Sequence, residues 1–422
     1  MSRSTRCGGR RPARRRHLRR RRRRSGQLPD RCTPSLTATA ILVIPTAAAS
    51  LALRPARRSQ RARSGQAISI STRKGLTVRA TLYGGPGDIT VGERPDPRLE
   101  KPTDAVVRVT LGCVCGSDLW YYRGVNPHAL GPIGHEFVGV VEQVGADVST
   151  VRPGDLVVAP FTFCDGTCAN CRAGWTGNCL SGGSFGNHGV DGGQGEYVKV
   201  PYADATLVKV PAGDYSDAVM KSLVALSDVM CTGHHAAVSA GVKPGDTVAV
   251  VGDGAVGLCA VIAAKRLGAE RIVSLSRNPV RQALAREFGA TDIVAERGDD
   301  ATKLVMDMTG GLGVDAALEC VGTGQSMATA FGIARVGSIV GAVGVPHDST
   351  VPLQTVIFRN VGLRGGVAPA RRYIPELLDD VLRGRINPGL VFDYETGLDD
   401  VKDAYDAMID RRATKSLVRI GA

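Results

Sequence analysis

Residues 113–136, CVCGSDLWYYRGVNPHALGPIGHE, bring a thiol, a hydroxyl, an imidazole and carboxylates into one short glycine-rich stretch. Cys115 opens a Cys-Gly-Ser-Asp tetrad, and His135 lies in a Gly-His-Glu triplet further along. In an ordinary core a cysteine behaves as a small apolar residue, whereas thiolate and imidazole groups are common ligands of zinc. Two interpretations follow, a metal site with open chemistry or a chance grouping of loop residues.

A second cysteine group follows in residues 164–179, CDGTCANCRAGWTGNC. Its spacing is C-x3-C-x2-C-x7-C, and the cysteines are Cys164, Cys168, Cys171 and Cys179. Four thiolates on one compact lobe predict a closed, tetrahedral structural zinc site. Clustered cysteines in a large chain also favour metal ligation in a reducing compartment. The alternative is a pair of disulfides or free thiols.

A glycine motif predicts a dinucleotide site. The apolar stretch 247–251 predicts a strand, and the residues near 260 predict a helix. Between them stand Gly252, Gly254 and Gly257. Glycines in this context permit a tight turn and a close approach of backbone N–H groups to a pyrophosphate at the helix N-terminus. The alternative is a plain strand-to-helix turn.

The second strand of this unit, RIVSL, is followed by Ser276 and Arg277. NAD-dependent enzymes commonly carry a carboxylate at this point for the adenosine ribose, and the sequence offers none at these two positions. A hydroxyl and a guanidinium can instead bind a 2′-phosphate, so we predict a preference for NADP over NAD. The alternative is a solvent-facing arginine in an NAD enzyme.

The chain divides into two regions that differ in composition and in the pattern of predicted strands and helices. Residues 76–225 are rich in Gly, Pro and Val with short alternating runs, which predict an antiparallel or barrel-like β domain. From about residue 228 to 363 strands and helices alternate, which predicts a doubly wound parallel sheet. The last sixty residues predict two amphipathic helices and a final strand that return to the first domain. The predicted fold class is therefore α/β.

The net charge of +13 is unevenly distributed along the chain. Residues 1–74 hold 21 Lys and Arg against one acid, Asp30, so the remaining 348 residues carry a net charge of −7. We predict a disordered basic extension over residues 1–74, with a targeting signal or a nucleic-acid-binding tail as alternatives. The rest has no basic stripe and no stretch that is long and apolar enough to span a membrane. We therefore predict a cytoplasmic protein whose folded part binds neither nucleic acid nor membrane.

Deleting residues 1–74 should leave the fold, the zinc content and the activity intact, because this segment lacks the apolar residues needed to join a core. Circular dichroism, zinc analysis and an activity assay on the truncated chain measure this. An insoluble or inactive truncated protein would show that the predicted domain boundary is misplaced.

Taken together, these motifs resemble the zinc-dependent alcohol dehydrogenases of the medium-chain dehydrogenase/reductase family. The resemblance is carried by Cys-Gly-Ser-Asp at residues 115–118 and by GHE-x2-G-x5-G-x2-V at residues 134–148. It extends over residues 76–420, in order and without a gap large enough to lose a domain.

The family's architecture implies three segments after the basic extension. Residues 75–229 form a GroES-like catalytic domain that includes the zinc lobe, and residues 230–363 form a Rossmann domain that binds NADP. Residues 364–422 then return to the catalytic domain. The resemblance also implies further cofactor contacts from Thr232, Ala255, Val256, Val321, Val343 and Val345.

The same resemblance implies a catalytic zinc on Cys115, His135 and a third ligand that precedes a Thr-Gly pair. In the family's register this third ligand is Asp228, and Cys231 is the rival three residues later. Glu136 is implied as the neighbouring carboxylate, which can approach the metal during ligand exchange.

Two departures from the family pattern stand out. Cys164 is separated from the next lobe cysteine by three residues rather than two, so we expect a loop one residue longer. Trp120 stands where many relatives carry the histidine that ends a proton relay, although Ser117 is retained. We expect the relay to run from Ser117 through the cofactor ribose to water or another group. We expect packing roles, rather than catalytic ones, for Cys113, His128, His234 and His235.

The resemblance implies an oxidoreductase with two zinc ions per chain that transfers a hydride between an alcohol and NADP. Zinc lowers the pKa of an alcohol, as it does for water, and the nicotinamide supplies the redox chemistry. The implied partners are a small alcohol, aldehyde or ketone and further copies of the chain in a homo-oligomer. The alternatives are a zinc-free quinone or enoyl reductase of the same fold and a zinc-containing nucleic-acid-binding protein.

Overall fold

The computed structural model describes residues 77–187 and 189–421, which lie within one compact unit. The predicted basic extension, residues 1–74, is outside the described residues, and its role stays a prediction. Among the described residues, the helices are all too short or too polar to cross a bilayer.

Short strands dominate the first part of the described chain and alternate with helices in the second part. In chain order the strands are β1 (Thr77–Gly85), β2 (Asp88–Pro95), β3 (Ala105–Cys113), β4 (Gly131–Pro132), β5 (Phe137–Val144), β6 (Leu156–Ala159), β7 (Thr162–Phe163), β8 (Gly183–Ser184), β9 (Tyr197–Val200), β10 (Val208–Lys209), β11 (Thr247–Val251), β12 (Arg271–Leu275), β13 (Asp292–Val294), β14 (Val314–Glu319), β15 (Ala334–Ala342), β16 (Gly362–Gly365), β17 (Tyr394–Gly397) and β18 (Ser416–Arg419). The helices are α1 (Asp118–Tyr122), α2 (Ala169–Arg172), α3 (Ala203–Thr206), α4 (Asp217–Leu226), α5 (Val229–Ala240), α6 (Ala255–Arg266), α7 (Pro279–Phe288), α8 (Gly298–Met308), α9 (Gly324–Ile333), α10 (Leu353–Arg359), α11 (Ala370–Leu382) and α12 (Val401–Ile409).

Strand β3 is the centre of the main sheet in the β-rich domain. Its sequence, AVVRVTLGC, is rich in β-branched residues and mostly buried. Strands β5, β9 and β18 all pair with β3 in antiparallel fashion, and the sheet has the order β10-β6-β5-β3-β18-β17 with β9 also on β3. Since β17 and β18 come from the end of the chain, that segment lies in the sheet of the first domain. The domain boundaries themselves stay predictions.

The second domain is built on a parallel sheet of order β13-β12-β11-β14-β15-β16. Its central strand β11 reads TVAVV and is buried, because helices cover both faces of the sheet. Helices α5 and α6 pack on one face, and α8 and α9 pack on the other. The strand order reverses between β11 and β14, where the crevice for a dinucleotide is expected. The predicted α/β class with a doubly wound sheet is confirmed.

The turn after β11 requires glycine at two positions. Gly252 has φ +120°, which L side chains rarely adopt. A Cβ atom on Gly257 would lie 2.0 Å from the Gly252 carbonyl oxygen, so α6 can approach the turn this closely only with glycine there. These two residues hold the N-terminus of α6 at the crevice.

Candidate active site and metal centres

A large cavity receives side chains from both domains. Its volume is about 1010 Å³, which suits a cofactor together with a small ligand. The β-rich domain contributes Cys115, Ser117, Trp120, His128 and His135. The remainder of the chain contributes Asp228, Thr232, Gly254, Ala255, Val256, Arg277, Val321, Val343 and Val345. The cavity therefore brings together residues predicted for zinc binding, proton relay and cofactor binding.

Cys115, His135 and Asp228 converge at one point of this cavity. The Cys115 Sγ and the His135 Nε2 each lie 3.6 Å from Asp228 Oδ2. Tetrahedral zinc, with bonds of about 2.3 Å to sulfur and about 2.0 Å to nitrogen or oxygen, separates its ligand atoms by about 3.3–3.5 Å. With Glu136, these side chains offer ligand atoms within 4.8 Å of one another. The arrangement fits a zinc ion with three protein ligands and an open position.

Asp118 contacts two of these residues, the backbone of Cys115 and the side chain of His135. Its Oδ2 accepts a hydrogen bond from the Cys115 backbone N–H at 3.0 Å, and its Oδ1 lies 3.4 Å from His135 Nδ1. With Nδ1 facing Asp118, the Nε2 atom of His135 faces the ligand cluster, the usual arrangement of a metal-binding histidine held by a carboxylate. This role was not predicted from the sequence, although Asp118 is the last residue of the Cys-Gly-Ser-Asp tetrad.

Asp228 directly precedes α5 and uses both of its carboxylate oxygens. Its Oδ1 accepts a hydrogen bond of 2.5 Å from the Thr232 hydroxyl, and its Oδ2 faces the other two ligands. The rival residue Cys231 is fully buried, and its thiol donates to the Leu226 carbonyl oxygen at 3.1 Å. The geometry therefore favours Asp228 over Cys231 as the third ligand.

The charges of this cluster favour a bound cation. Burial, followed by the negative charge of Glu136, raises the pKa of the Cys115 thiol. Burial also acts to raise the pKa of Asp228, but the hydrogen bonds and charge around it, His135 first, outweigh burial and lower that pKa. A buried thiolate and carboxylate this close repel each other, and a divalent cation between them would stabilise both anions.

Glu136 is held by a lysine from near the end of the chain. Lys415 is 1% exposed, and its Nζ donates to Glu136 Oε1 at 2.7 Å and to the Val114 carbonyl oxygen at 3.2 Å. Burial acts to lower the pKa of Lys415, but the surrounding groups, Cys113 and Glu136 foremost, raise it well above its ordinary value. The Glu136 Oε2 atom has no hydrogen-bond partner among the described residues. The part played by Lys415 was not predicted from the sequence.

The cysteine lobe brings together a ligand set that differs from the predicted one. Four ligand atoms lie within 4.8 Å of one another, and they belong to Asp165, Cys168, Cys171 and Cys179. The Sγ atoms of Cys168 and Cys179 are 3.9 Å apart, close to the separation of about 3.8 Å between two sulfurs on tetrahedral zinc. Cys164, the predicted first ligand, is not in this set, and its buried Sγ lies 3.3 Å from the Ala205 carbonyl oxygen. Counted from Asp165, the next cysteine follows after two residues, as in the family pattern, whereas counted from Cys164 it follows after three.

A carboxylate lies where the sequence predicted none. Ser276 is buried, and its hydroxyl donates to Asp253 Oδ2 at 2.8 Å. Asp253 belongs to the glycine motif, so its carboxylate comes from the first turn of the domain rather than from the second strand. The Arg281 Nη1 atom lies 3.4 Å from Asp253 Oδ1, and exposed Arg277 lines the cavity. The Ser276 hydroxyl is therefore already engaged, which leaves the two arginines as candidates for a 2′-phosphate.

The rest of the predicted cofactor site lies around the glycine turn. A second cavity of about 540 Å³ is lined by Gly252 and Ser276 and shares Asp253, Gly254 and Arg277 with the large one. Gly257 lines neither cavity, and its role is to let α6 pack against the turn.

Ser117 and Trp120 both line the large cavity at α1. The Ser117 side chain makes no capping hydrogen bond to the helix, so its hydroxyl stays available for a substrate or a relay. Trp120 packs edge-on against His347, with ring centroids 3.5 Å apart. The approach of His347 to this position was not predicted, because it comes from the loop after β15.

Three other histidines have distinct surroundings. His128 lines the cavity and packs on Tyr121, with ring centroids 4.3 Å apart. His234 and His235 are buried, line neither cavity and pack against Tyr373. Burial lowers the pKa of His234 to about 4, so its imidazole is neutral at neutral pH. The surroundings of these two residues agree with the packing role predicted for them.

Two protein-family models match the chain. The model of the alcohol dehydrogenase GroES-like domain matches residues 101–212, and that of the zinc-binding dehydrogenase matches residues 255–383. Zinc-type alcohol dehydrogenase B of Aspergillus flavus is 33% identical over 354 residues, which cover 82% of each chain.

Solved structures give the same comparison in three dimensions. The alcohol dehydrogenase TADH from Thermus sp. ATN1 is 33% identical, with a TM-score of 0.76 over 81% of this chain and 100% of that one. A zinc-binding dehydrogenase from Sinorhizobium meliloti 1021, bound to NADP, is 26% identical, with a TM-score of 0.69 over 81% of this chain and 99% of that one. These matches confirm the predicted pairing of a GroES-like domain with a Rossmann domain.

Proposed function

This chain belongs to the zinc-dependent alcohol dehydrogenases of the medium-chain dehydrogenase/reductase family, and we propose that it transfers a hydride between an alcohol and NADP with two zinc ions per chain. The observation that carries the proposal is the convergence of Cys115, His135 and Asp228 in the cavity that also contains the glycine turn. We assign these residues to the catalytic zinc and the cysteine lobe to a structural zinc. The chain is further proposed to act in the cytoplasm as a homo-oligomer.

The protein's own groups have separate tasks in this reaction. When bound, zinc supplies Lewis-acid polarisation of the substrate oxygen, and NADP accepts the hydride. Asp118 holds His135 so that its Nε2 faces the metal position. Thr232 fixes the second oxygen of Asp228, which leaves one oxygen for the metal. The glycine turn lets backbone N–H groups approach the pyrophosphate of the cofactor.

Ser117 is proposed to take the proton of the substrate hydroxyl. Its hydroxyl can both accept and donate a hydrogen bond, and no helix cap engages it. Trp120 cannot continue the relay, because an indole N–H donates but has no lone pair to accept a proton. Ser117 would therefore hand the proton outward, and either water or the ribose of a bound cofactor would have to accept it.

The second candidate is a zinc-free quinone or enoyl reductase of the same fold. The clustered Cys115, His135 and Asp228 favour the zinc enzyme, since a reductase without zinc has no use for a buried thiol, imidazole and carboxylate at ligand distances. The nucleic-acid-binding alternative has little support from a net charge of −7 outside residues 1–74.

A substrate panel tests the proposed function. Primary, secondary and aromatic alcohols are offered with NADP, and the formation of NADPH is followed before and after removal of zinc by a chelator. The proposal predicts saturable, zinc-dependent oxidation of at least one alcohol class. Activity confined to quinones or enoyl substrates, unaffected by the chelator, would establish the reductase instead.

Replacing Lys415 by methionine should destabilise the zinc-loaded protein by about 3 kcal/mol, because it leaves Glu136 buried without its cation. The double variant Lys415→Met with Glu136→Gln should recover much of this loss. Urea unfolding measures both free energies of unfolding. Lys402→Met is the matched control, since Lys402 pairs with Asp406 at the surface and its loss should cost no more than about 0.5 kcal/mol. Equal losses in the single and double variants would contradict a coupled pair.

A further inference from the structure

We propose that Asp165, rather than Cys164, is the fourth ligand of the lobe zinc, so that the centre has three thiolates and one carboxylate. This inference rests on the proposed second zinc ion and adds the identity of one ligand. Counted from Asp165, the spacing reads D-x2-C-x2-C-x7-C, and all four ligand atoms lie within 4.8 Å of one another. Carboxylate oxygen is a regular zinc ligand beside cysteine and histidine.

The carboxylate of Asp165 is held in place by the lobe itself. Its Oδ1 accepts hydrogen bonds from the backbone N–H groups of Thr167 at 2.8 Å and Cys168 at 3.0 Å. The backbone N–H of Asp165 in turn donates to Cys179 Sγ at 3.2 Å. A side chain already fixed by such bonds loses little conformational entropy when it binds a metal.

The cysteine sulfurs near Asp165 accept hydrogen bonds from backbone N–H groups, as metal-binding thiolates commonly do. Cys168 Sγ accepts from the backbone N–H groups of Cys171 at 3.4 Å and Leu180 at 3.5 Å. Backbone donors aimed at a sulfur stabilise its anionic form. A further backbone N–H donates to Cys179 Sγ. Two sulfurs of the set therefore accept backbone hydrogen bonds, which favours the binding of a cation between them.

Cys164 interacts electrostatically with Cys171 and Cys179, but its own hydrogen-bond contacts lead away from the cluster. It is 1% exposed, its backbone N–H donates to Thr206 Oγ1 at 3.2 Å, and its Sγ lies 3.3 Å from the Ala205 carbonyl oxygen. A thiol can donate its proton to that carbonyl, whereas a metal-bound thiolate would face the negative end of the carbonyl dipole. Cys164 therefore serves the lobe as a small buried residue that ties it to the segment around α3.

Measurement of the zinc content distinguishes Asp165 from Cys164 as the fourth ligand. Wild-type protein and the variants Cys164→Ser, Asp165→Asn and Cys168→Ser are treated with a mild chelator, separated from it, and measured for zinc per chain. Wild type and Cys164→Ser should keep two zinc ions, and Asp165→Asn and Cys168→Ser should each lose one. Loss of one zinc in Cys164→Ser, or retention of both in Asp165→Asn, would overturn the inference. Fewer than two zinc ions in a wild type that keeps its activity would overturn the second zinc itself.

A spectroscopic readout covers the case in which Asp165→Asn fails to fold. Cobalt is substituted for zinc, and the thiolate-to-cobalt charge-transfer band is compared between wild type, Cys164→Ser and Asp165→Cys. The inference predicts an unchanged band in Cys164→Ser and a stronger band in Asp165→Cys, which adds a thiolate to the centre. A weaker band in Cys164→Ser would assign the ligand to Cys164.

Discussion

Replacing Asp228 by alanine should remove the catalytic zinc and lower kcat/KM by at least about 100-fold, since even residues that only support a metal ligand cost about 10–100-fold when mutated. The physical reason is the position of Asp228 Oδ2, which lies 3.6 Å from both Cys115 Sγ and His135 Nε2. Without this carboxylate the metal would keep one thiolate and one imidazole. The lobe zinc should remain in place, so zinc analysis should show the loss of one ion per chain.

Three further variants control this experiment. Asp228→Cys supplies another zinc ligand and should restore much of the lost zinc. Cys231→Ala should keep both ions, because the Cys231 thiol is bonded to the Leu226 carbonyl. Asp204→Asn, which changes a carboxylate bonded to Ser149 and Thr150, should also keep both. Full zinc occupancy and activity in Asp228→Ala would remove Asp228 as a ligand.

The second large effect concerns the choice of cofactor. We expect kcat/KM to be at least about tenfold higher with NADP than with NAD, because a 2′-phosphate beside Arg277 gains a charge-assisted contact worth about 1.5 kcal/mol in a partly exposed site. The carboxylate of Asp253 opposes this preference, but Arg281 at 3.4 Å offsets its charge. Arg277→Leu should therefore lower the efficiency with NADP about tenfold and leave that with NAD nearly unchanged.

The structure also decides which substitutions test the cofactor choice fairly. Ser276 is buried against Asp253, so an aspartate at 276 would place two carboxylates together and disturb the turn. A substitution at Ser276 is therefore not used as a test. Arg286→Leu is the matched control for Arg277→Leu, because Arg286 lies on the same helix as Arg281 but lines neither cavity. Steady-state kinetics with both cofactors measure the ratio. Equal efficiencies in the wild type, or a ratio unchanged by Arg277→Leu, would contradict the assignment.

Features with a local signal were predictable from the sequence. The strand, glycine turn and helix at residues 247–266 are adjacent in the chain, and each has its own pattern of residues. Asp228 was implied by the family resemblance, which counts back from the Thr-Gly pair, and the structure brings it to Cys115 and His135. Helix α5 was not predicted, because it is buried on almost every side and so lacks the polar face that reveals a helix in a sequence.

Contacts between distant parts of the chain were not predictable. Lys415 is 279 positions from Glu136, and its lysine type alone indicates an exposed residue. Asp253 was read as part of the glycine motif, and nothing in its neighbours shows that its side chain reaches Ser276. In the lobe, counting cysteines selected Cys164, whereas the clustered ligand atoms belong to Asp165 and three cysteines. The sequence alone cannot show which of two adjacent side chains points into such a cluster.

Transfer of deuterium tests the central claim most directly. An alcohol that the enzyme oxidises is labelled with deuterium at the carbon that bears the hydroxyl, and the NADPH formed is analysed by mass spectrometry. The account predicts one deuterium atom in each NADPH with the zinc-loaded wild type, and at least about 100-fold slower transfer with Asp228→Ala. Unlabelled NADPH, or equal rates of transfer in the two proteins, would contradict zinc-dependent hydride transfer from an alcohol.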